Sequence, residues 1–194
     1  MVPVVIGIGV AAALLIVLFS NEPKILLLGR TGAGKSTLSK ILAGEGFLSD
    51  IVATTSGITL EAETDICGVH YKIIDLSGAE ENAKFGEKAR KEFKNLKDDE
   101  RKRFIFLYVF DAEDFIDQKG HREKVILQVK TYFDQAMEDG ITIKCIGTRR
   151  DKISDAERDS VVGRIREAAN VDTEVFDMTT NPVEQIKKFI SREA

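Results

Sequence analysis

The eight residues Gly29-Arg30-Thr31-Gly32-Ala33-Gly34-Lys35-Ser36 are the most informative part of this sequence. They match the pattern GxxxxGK[ST] in full. The apolar run Ile25–Leu28 precedes them and a helical pattern, Lys35–Ala43, follows, which is the strand-to-helix context that the motif requires. Backbone N–H groups of such a loop converge on an anion, and the N-terminus of the following helix adds positive potential. The motif therefore predicts a phosphate-binding loop.

The same motif predicts how the loop holds a nucleotide. Lys35 is expected to reach the β- and γ-phosphates, and the hydroxyl of Ser36 is expected to ligate Mg²⁺. An ordinary glycine-rich turn is the alternative, and the complete motif in its proper context argues against it. The nucleotide contacts expected here are Gly29, Arg30, Thr31, Gly32, Ala33, Gly34, Lys35, Ser36 and Thr37.

Apolar runs and amphipathic patterns alternate along the rest of the chain. Predicted strands are Ile25–Leu28, Ile58–Cys67, Tyr71–Leu76, Phe104–Phe110, Ile141–Ile146 and Glu174–Phe176. Predicted helices are Lys35–Ala43, Glu80–Leu96, Ile116–Glu138, Ser154–Ala169 and Pro182–Arg192. Short, almost wholly apolar strands separated by amphipathic helices indicate a parallel sheet that is covered on both faces.

One predicted strand differs from the others. Ile58–Cys67 alternates apolar and polar residues, and a short turn, Cys67-Gly68-Val69-His70, joins it to the next strand. This pattern predicts an antiparallel hairpin at the sheet edge. The predicted fold is α/β: a three-layer, doubly wound, mostly parallel six-stranded sheet, preceded by one N-terminal transmembrane helix.

A second motif follows at the end of the third predicted strand. Asp75-Leu76-Ser77-Gly78 has the form DxxG, and Asp75 is expected to help hold Mg²⁺. In G proteins the N–H of the glycine, here Gly78, contacts the γ-phosphate. A surface-turn aspartate is the alternative, but the position after a P-loop and a hydrophobic strand favours the nucleotide role.

A third element resembles a base-recognition loop. The strand Ile141–Ile146 runs into Thr148-Arg149-Arg150-Asp151, in the place of the usual [NT]KxD motif. Asp151 is expected to accept hydrogen bonds from the N1–H and 2-amino groups of guanine, which adenine cannot offer. Arg149 is expected to lie on the base, and Thr148 replaces the commoner asparagine. The alternative for Asp151 is a turn or N-cap residue.

Two loops are assigned by position alone. The segment Ser49–Thr59 should contain the threonine that ligates Mg²⁺ in the GTP state, and of Thr54, Thr55 and Thr59 we favour Thr55. The loop after the last strand should meet the base, with Thr179 as a contact. The predicted metal ligands are thus Ser36, Thr55 and Asp75.

Charge and cysteine content limit which ligands and partners the chain is expected to bind. The 194 residues have 31% charged residues, a formal net charge of -4 and no long basic run, which argues against binding of nucleic acid through a basic face. Cys67 and Cys145 lack a CxxC or Cys/His pattern, so we expect two buried, reduced thiols.

The segment Val2–Phe19 breaks the globular pattern, because it contains no charged residue. As a helix its eighteen residues would span about 27 Å, close to the ~30 Å hydrocarbon core of a bilayer. A cleaved signal peptide or a core helix are the alternatives. We expect residues 1–20 to be a membrane anchor and residues 21–194 to be a G domain in the cytosol, where GTP and reduced thiols are found.

These motifs together resemble the G-domain superfamily. The stretches GRTGAGKSTLSKILAGEGF, TTSGIT and YKIID, with the TR-containing base loop, are similar to the immunity-associated (GIMAP-type) GTPases, relatives of septins and of chloroplast import-receptor GTPases. The resemblance implies a membrane-associated protein that binds GTP or GDP with Mg²⁺. It also implies a homodimer or oligomer formed across the nucleotide face.

The sequence offers no obvious catalytic residue. Many small GTPases place a glutamine soon after DxxG to position the attacking water, whereas Ala79, Glu80 and Glu81 follow Gly78 here. We therefore expect slow intrinsic GTP hydrolysis, accelerated by a partner or a second copy, in a nucleotide-dependent switch or scaffold. The alternatives are a GTP-binding receptor or assembly subunit with little hydrolysis, and a P-loop ATPase.

Overall fold

The computed structural model describes residues 22–44, 60–75 and 102–192. Within these ranges the strands are β1 (Lys24–Leu28), β2 (Leu60–Ile66), β3 (Val69–Asp75), β4 (Phe104–Asp111), β5 (Thr142–Thr148) and β6 (Asp172–Val175). The helices are α1 (Lys35–Ala43), α2 (Ala112–Asp117), α3 (Lys119–Asp139), α4 (Asp155–Ala169) and α5 (Val183–Ser191).

The strands form one six-stranded sheet in the order β2-β3-β1-β4-β5-β6. Only the β2–β3 pair is antiparallel, and the four other pairs are parallel. The predicted doubly wound α/β sheet with an antiparallel edge strand is therefore confirmed. The carboxyl ends of the parallel strands meet at one edge of the sheet. Asp75 at the end of β3, Gly29 after β1 and Thr148 at the end of β5 therefore all lie at that edge.

Apolar residues on the two faces of the sheet form two separate cores. Along β1, Leu26 and Leu28 belong to the cluster that includes α2, α3 and α4, whereas Ile25 and Leu27 belong to the cluster that includes α1 and α5. Successive strand residues point to opposite faces, so an uninterrupted apolar run serves both cores. This arrangement gives the three predicted layers.

The hairpin turn is tighter than predicted. Ile66 pairs with Val69, so only Cys67 and Gly68 lie in the turn, and β3 begins at Val69 rather than Tyr71. Both turn residues have positive φ, 50° and 80°, as a two-residue hairpin turn with the right twist requires. The predicted burial of Cys67 was wrong because the turn exposes it; Cys145 is buried and both thiols are free.

The predicted single helix Ile116–Glu138 is instead two helices. Asp111 ends β4 and caps α2 by accepting from the N–H of Asp114 at 3.1 Å, so the chain enters a helix directly. Gln118 then adopts an extended conformation between α2 and α3. The short first helix places Phe115 in the core, with its ring centroid 5.6 Å from that of Phe110.

The last strand is also displaced, to Asp172–Val175 from the predicted Glu174–Phe176. Its first residue, Asp172, is the register partner of the fully buried Lys144, and the two side chains form an ion pair at 3.3 Å. The strand begins with the polar residues Asp172 and Thr173, so a search for apolar runs did not predict its start.

Several predictions lie outside the described residues: the segment 2–19, Thr55, Gly78 and the helix Glu80–Leu96. In residues 22–44, 60–75 and 102–192, no helix is both long enough and apolar enough to cross a bilayer.

Candidate nucleotide site

The phosphate-binding loop connects β1 to α1 and owes its course to glycines. Gly29, Gly32 and Gly34 have φ values of 124°, 84° and 95°, a region that side-chain-bearing residues rarely adopt. A Cβ atom on Gly29 would overlap the carbonyl oxygen of Val109 on the neighbouring strand. The loop can therefore lie flat against β4 only with glycine at this position.

Lys35 lies inside this loop. Its side chain is 4% exposed, and its ammonium donates to the carbonyl oxygens of Gly29 at 2.5 Å and Arg30 at 2.8 Å. A buried lysine that is bonded to the loop's own carbonyls brings a fixed positive charge to the concave side of the loop. This placement fits the predicted role of Lys35 in binding phosphate.

Ser36 and Asp75 come together as the metal prediction requires. The Ser36 hydroxyl donates to Oδ2 of Asp75 at 3.2 Å, and Asp75 is fully buried at the end of β3. A hydroxyl and a carboxylate are hard oxygen ligands of the kind that Mg²⁺ prefers, so these two residues fit the ion. They would hold it, and the ion would neutralise charge that develops on the β- and γ-phosphates.

Thr148 joins the predicted base loop to the phosphate loop. It is the last residue of β5 and is 4% exposed. Its hydroxyl lies 3.0 Å from the carbonyl oxygen of Ala33 and 3.3 Å from that of Phe110. The hydroxyl thus connects three segments, and its position supports a structural role within the site.

Arg149 and Asp151 follow the carboxyl end of β5. Arg149 has a left-handed backbone, φ 59°, and its side chain pairs with Asp111 and Glu113. Asp151 follows in a 3-10 turn, Arg150–Lys152, with its carboxylate 3.3 Å from the ammonium of Lys152. Asp151 therefore follows β5 beyond the sheet edge that carries the phosphate loop, and its contact with guanine stays a prediction.

Comparisons with known proteins show the family of this chain. Residues 24–144 match the model of the family described as "50S ribosome-binding GTPase". The chain belongs to this GTPase family. It is a GTP-binding P-loop GTPase, and proteins of this class bind GTP or GDP and typically Mg²⁺. No curated protein sequence matches this chain.

Solved structures of other GTPases share the fold of this GTPase. A probable GTP-binding protein engB is 20% identical, with a TM-score of 0.60 over 86% of this chain and 96% of that chain. The FeoB G-domain from Methanococcus jannaschii is 19% identical, with a TM-score of 0.53 over 89% and 97%. Era from Aquifex aeolicus, bound to GDP.AlF4-, is 14% identical, with a TM-score of 0.54 over 90% and 59%.

The segment after β6 packs beside the base loop, and its predicted contact with the base stays a prediction. The N–H of Arg150 donates to the carbonyl oxygen of Phe176 at 3.3 Å, so the segment after β6 lies next to Asp151. Thr179 is in that segment, and both its N–H and its hydroxyl bond to Asp177, at 2.8 and 2.6 Å. The structure thus places Thr179 in an ordered turn near the base loop.

Sequence reasoning missed a contact between the phosphate loop and α3. The guanidinium of Arg30 lies 2.6 Å from Nδ1 of His121, which is 7% exposed. Burial, followed by the charge of Arg30, lowers the pKa of His121, so the neutral ring accepts this hydrogen bond. A lone histidine 91 residues away in sequence gave no signal of this contact.

Proposed function

We propose that this GTPase is a membrane-anchored, nucleotide-dependent switch whose intrinsic GTP hydrolysis is slow. The segment Val2–Phe19 carries the membrane part of the proposal, because eighteen residues without a charge match the thickness of a bilayer. Only Ser20 to Pro23 separate it from β1 at Lys24, so an anchored domain would lie close to the bilayer surface. We place the domain in the cytosol, in a single-pass protein.

The absence of glutamine after the DxxG motif carries the proposal of slow hydrolysis. Ala79 follows Gly78 directly, and the next residues are Glu80 and Glu81. A carboxylate beside the γ-phosphate would repel it, so neither glutamate is a good substitute for the glutamine. Acceleration by a partner or by a second copy across the nucleotide face would then control the lifetime of the GTP state.

A GTP-binding receptor or assembly subunit with little hydrolysis is the second candidate function. The same missing glutamine favours it, and so does the resemblance of the P-loop and TTSGIT segments to GIMAP-type GTPases and import-receptor GTPases. The two candidates differ in whether assembly on a membrane accelerates turnover.

The family description names ribosome binding, and we do not extend that to this chain. The net charge is -4, and no long basic run is present in the sequence. A protein that binds RNA through its phosphates needs a positive surface to release counterions. Our proposal therefore includes guanine nucleotide and membrane as partners and omits nucleic acid.

The full chain in liposomes tests the proposal in two measurements. We expect the chain to float with the vesicles after alkaline carbonate treatment, and Ala11→Arg with Leu14→Arg to lose this behaviour, because charges at the bilayer centre are costly. We expect GTP turnover in detergent, where the chain is dispersed, below about one per minute. Wild-type chain that stays in the aqueous fraction would contradict the membrane anchor. Turnover in detergent above about one per minute would contradict slow intrinsic hydrolysis.

Turnover as a function of surface density separates the two candidates. A switch that is activated by a second copy should hydrolyse GTP faster as the density of the chain on liposomes rises. A receptor or assembly subunit should stay slow at every density. No other protein is needed for this comparison, because only the chain and the vesicles are varied.

A further inference from the structure

Two carboxylates from the β4–α2 junction hold the side chain of Arg149. Its Nε lies 2.9 Å from Oδ2 of Asp111, and its Nη1 donates to Oε2 of Glu113 at 3.0 Å. The Arg149 side chain is 53% exposed, so without these two contacts it could adopt many conformations. The contacts raise the pKa of Arg149, chiefly through Glu113 and next through Asp111, and the guanidinium is held at two of its three nitrogens, Nε and Nη1.

The two carboxylates are themselves well placed. Asp111 is 5% exposed, and its other oxygen accepts the N–H of Asp114 as the cap of α2. Glu113 lies in the first turn of α2, where the helix dipole favours negative charge. In the sheet, Asp111 pairs with Thr148, so the register of β4 and β5 brings it beside Arg149. The register between β4 and β5 therefore sets the position of Asp111 relative to Arg149.

The backbone of Arg149 needs such support. A left-handed conformation is unfavourable for a residue with a Cβ atom and persists where its surroundings impose it. The residue before it, Thr148, is fixed to the phosphate loop through Ala33. The residue after it begins the turn that carries Asp151. The direction in which the chain leaves β5, and hence the position of the Asp151 carboxylate, depends on the conformation at Arg149.

We propose that Asp111 and Glu113 are positioning residues for guanine recognition: by holding Arg149 they aim Asp151 at the 2-amino edge of the base. This inference rests on the proposed reading of Asp151 as the guanine contact. The two carboxylates touch neither base nor phosphate in this role. They act through Arg149 on the turn that follows it.

The test compares GDP with IDP, whose base lacks the 2-amino group, on the full chain in detergent. Wild type should prefer GDP, because a correctly placed Asp151 loses one hydrogen bond with IDP. In Glu113→Gln and Arg149→Met we expect the affinity for GDP to fall about tenfold and the GDP:IDP ratio to approach one. The double variant that combines Glu113→Gln with Arg149→Met should lose no more affinity for GDP than Arg149→Met alone, because the two residues act as one unit.

Matched controls and separate outcomes make the test specific. Glu167→Gln and Arg166→Met remove the same groups from exposed positions on α4 and should leave both affinities unchanged. Asp111→Asn keeps a helix-capping side chain and should behave like Glu113→Gln. If Glu113→Gln and Asp111→Asn weaken GDP and IDP binding by the same factor, or keep the wild-type GDP:IDP ratio, the positioning role is overturned. A wild type that binds ADP as well as GDP would instead overturn the guanine assignment itself.

Discussion

At the scale of single residues, the site depends on side chains that are absent as much as on those present. Gly29 lies where a Cβ atom would overlap Val109, and Gly34 lies where one would come 2.9 Å from Cγ2 of Thr148. Gly32 has a similar φ, 84°, but nothing lies within 4 Å of its would-be Cβ. Gly32 is therefore required only for its backbone conformation. Gly29 and Gly34 are required both for their conformation and because a neighbouring residue lies close to them.

This difference gives a prediction. Gly29→Ala should lower the free energy of unfolding by about 3 kcal/mol or more, because backbone overlap must be relieved by moving β1 or β4. Gly32→Ala, with only its conformation to resist, should cost about 1 kcal/mol. Urea unfolding of the full chain in detergent measures both values. Equal losses in the two variants would show that the approach to Val109 is unimportant.

The sequence predicted which residues lie in the base loop but not what they touch. The order Thr148, Arg149, Asp151 after an apolar strand is enough to place them at the sheet edge. That the Thr148 hydroxyl bonds to Ala33, or that Arg149 pairs with Asp111, depends on the register between β4 and β5. Register is a property of two strands together, so no single segment reveals it.

At the scale of elements, local patterns predicted existence better than boundaries. The long apolar runs of β1, β4 and β5 were identified because both faces of these strands are buried. The division between α2 and α3 was missed, because the break at Gln118 contains neither glycine nor proline. Its cause is tertiary: Phe115 packs against Phe110 in the core, which fixes the direction of a six-residue helix.

The β2–β3 hairpin offers an element-scale prediction. Cys67 occupies the first position of its two-residue turn with φ 50°, a conformation that asparagine tolerates and β-branched residues resist. Cys67→Asn should raise the free energy of unfolding by about 0.5 kcal/mol, and Cys67→Val should lower it by about 1 kcal/mol. Thermal unfolding of the two variants, side by side with wild type, checks the order. If valine proves as good as asparagine, the turn is not of this type.

At the scale of the whole molecule, the two histidines of the chain respond to pH in opposite ways. His70 lies exposed on β3, where Asp65 in the first place, and Glu63 more weakly, raises its pKa. His121 is buried beside Arg30, and its pKa is lowered. Asp111, Asp114 and Lys124 also act on His121, more weakly than its burial. Folding therefore favours the charged form of one ring and the neutral form of the other.

The sign of each effect follows from linkage. For His121 the folded pKa lies below the ordinary 6.5, so its contribution is present above that value and is lost as the pH falls. For His70 the folded pKa is raised, so its contribution is present at low pH and is lost as the pH rises through it. As the pH falls from 7.5 to about 5, the free energy of unfolding of His121→Gln should rise relative to that of wild type. Over the same range the free energy of unfolding of His70→Gln should fall relative to that of wild type. Urea midpoints across this range measure both slopes, and slopes of the same sign would contradict the assignment.

The whole site must also discriminate between bases, since the P-loop, Ser36 and Asp75 would serve ATP equally well. We propose that guanine preference rests on Asp151 at the edge of the sheet. A carboxylate there accepts from the N1–H and 2-amino groups of guanine, whereas an amide in its place can donate to the 2-oxo group of xanthine. The base preference of the Asp151→Asn variant is therefore tied to one pair of atoms.

The most direct measurement is a competition assay on the full chain in detergent with Mg²⁺, in which GTP, GDP, XDP and ATP displace a fluorescent guanine nucleotide. We predict that guanine nucleotides bind wild type about a hundredfold or more tightly than ATP, which corresponds to roughly 2.7 kcal/mol. We also predict that Asp151→Asn shifts the preference toward XDP. Equal competition by ATP, or an unchanged base preference in Asp151→Asn, would contradict the assignment of the base site.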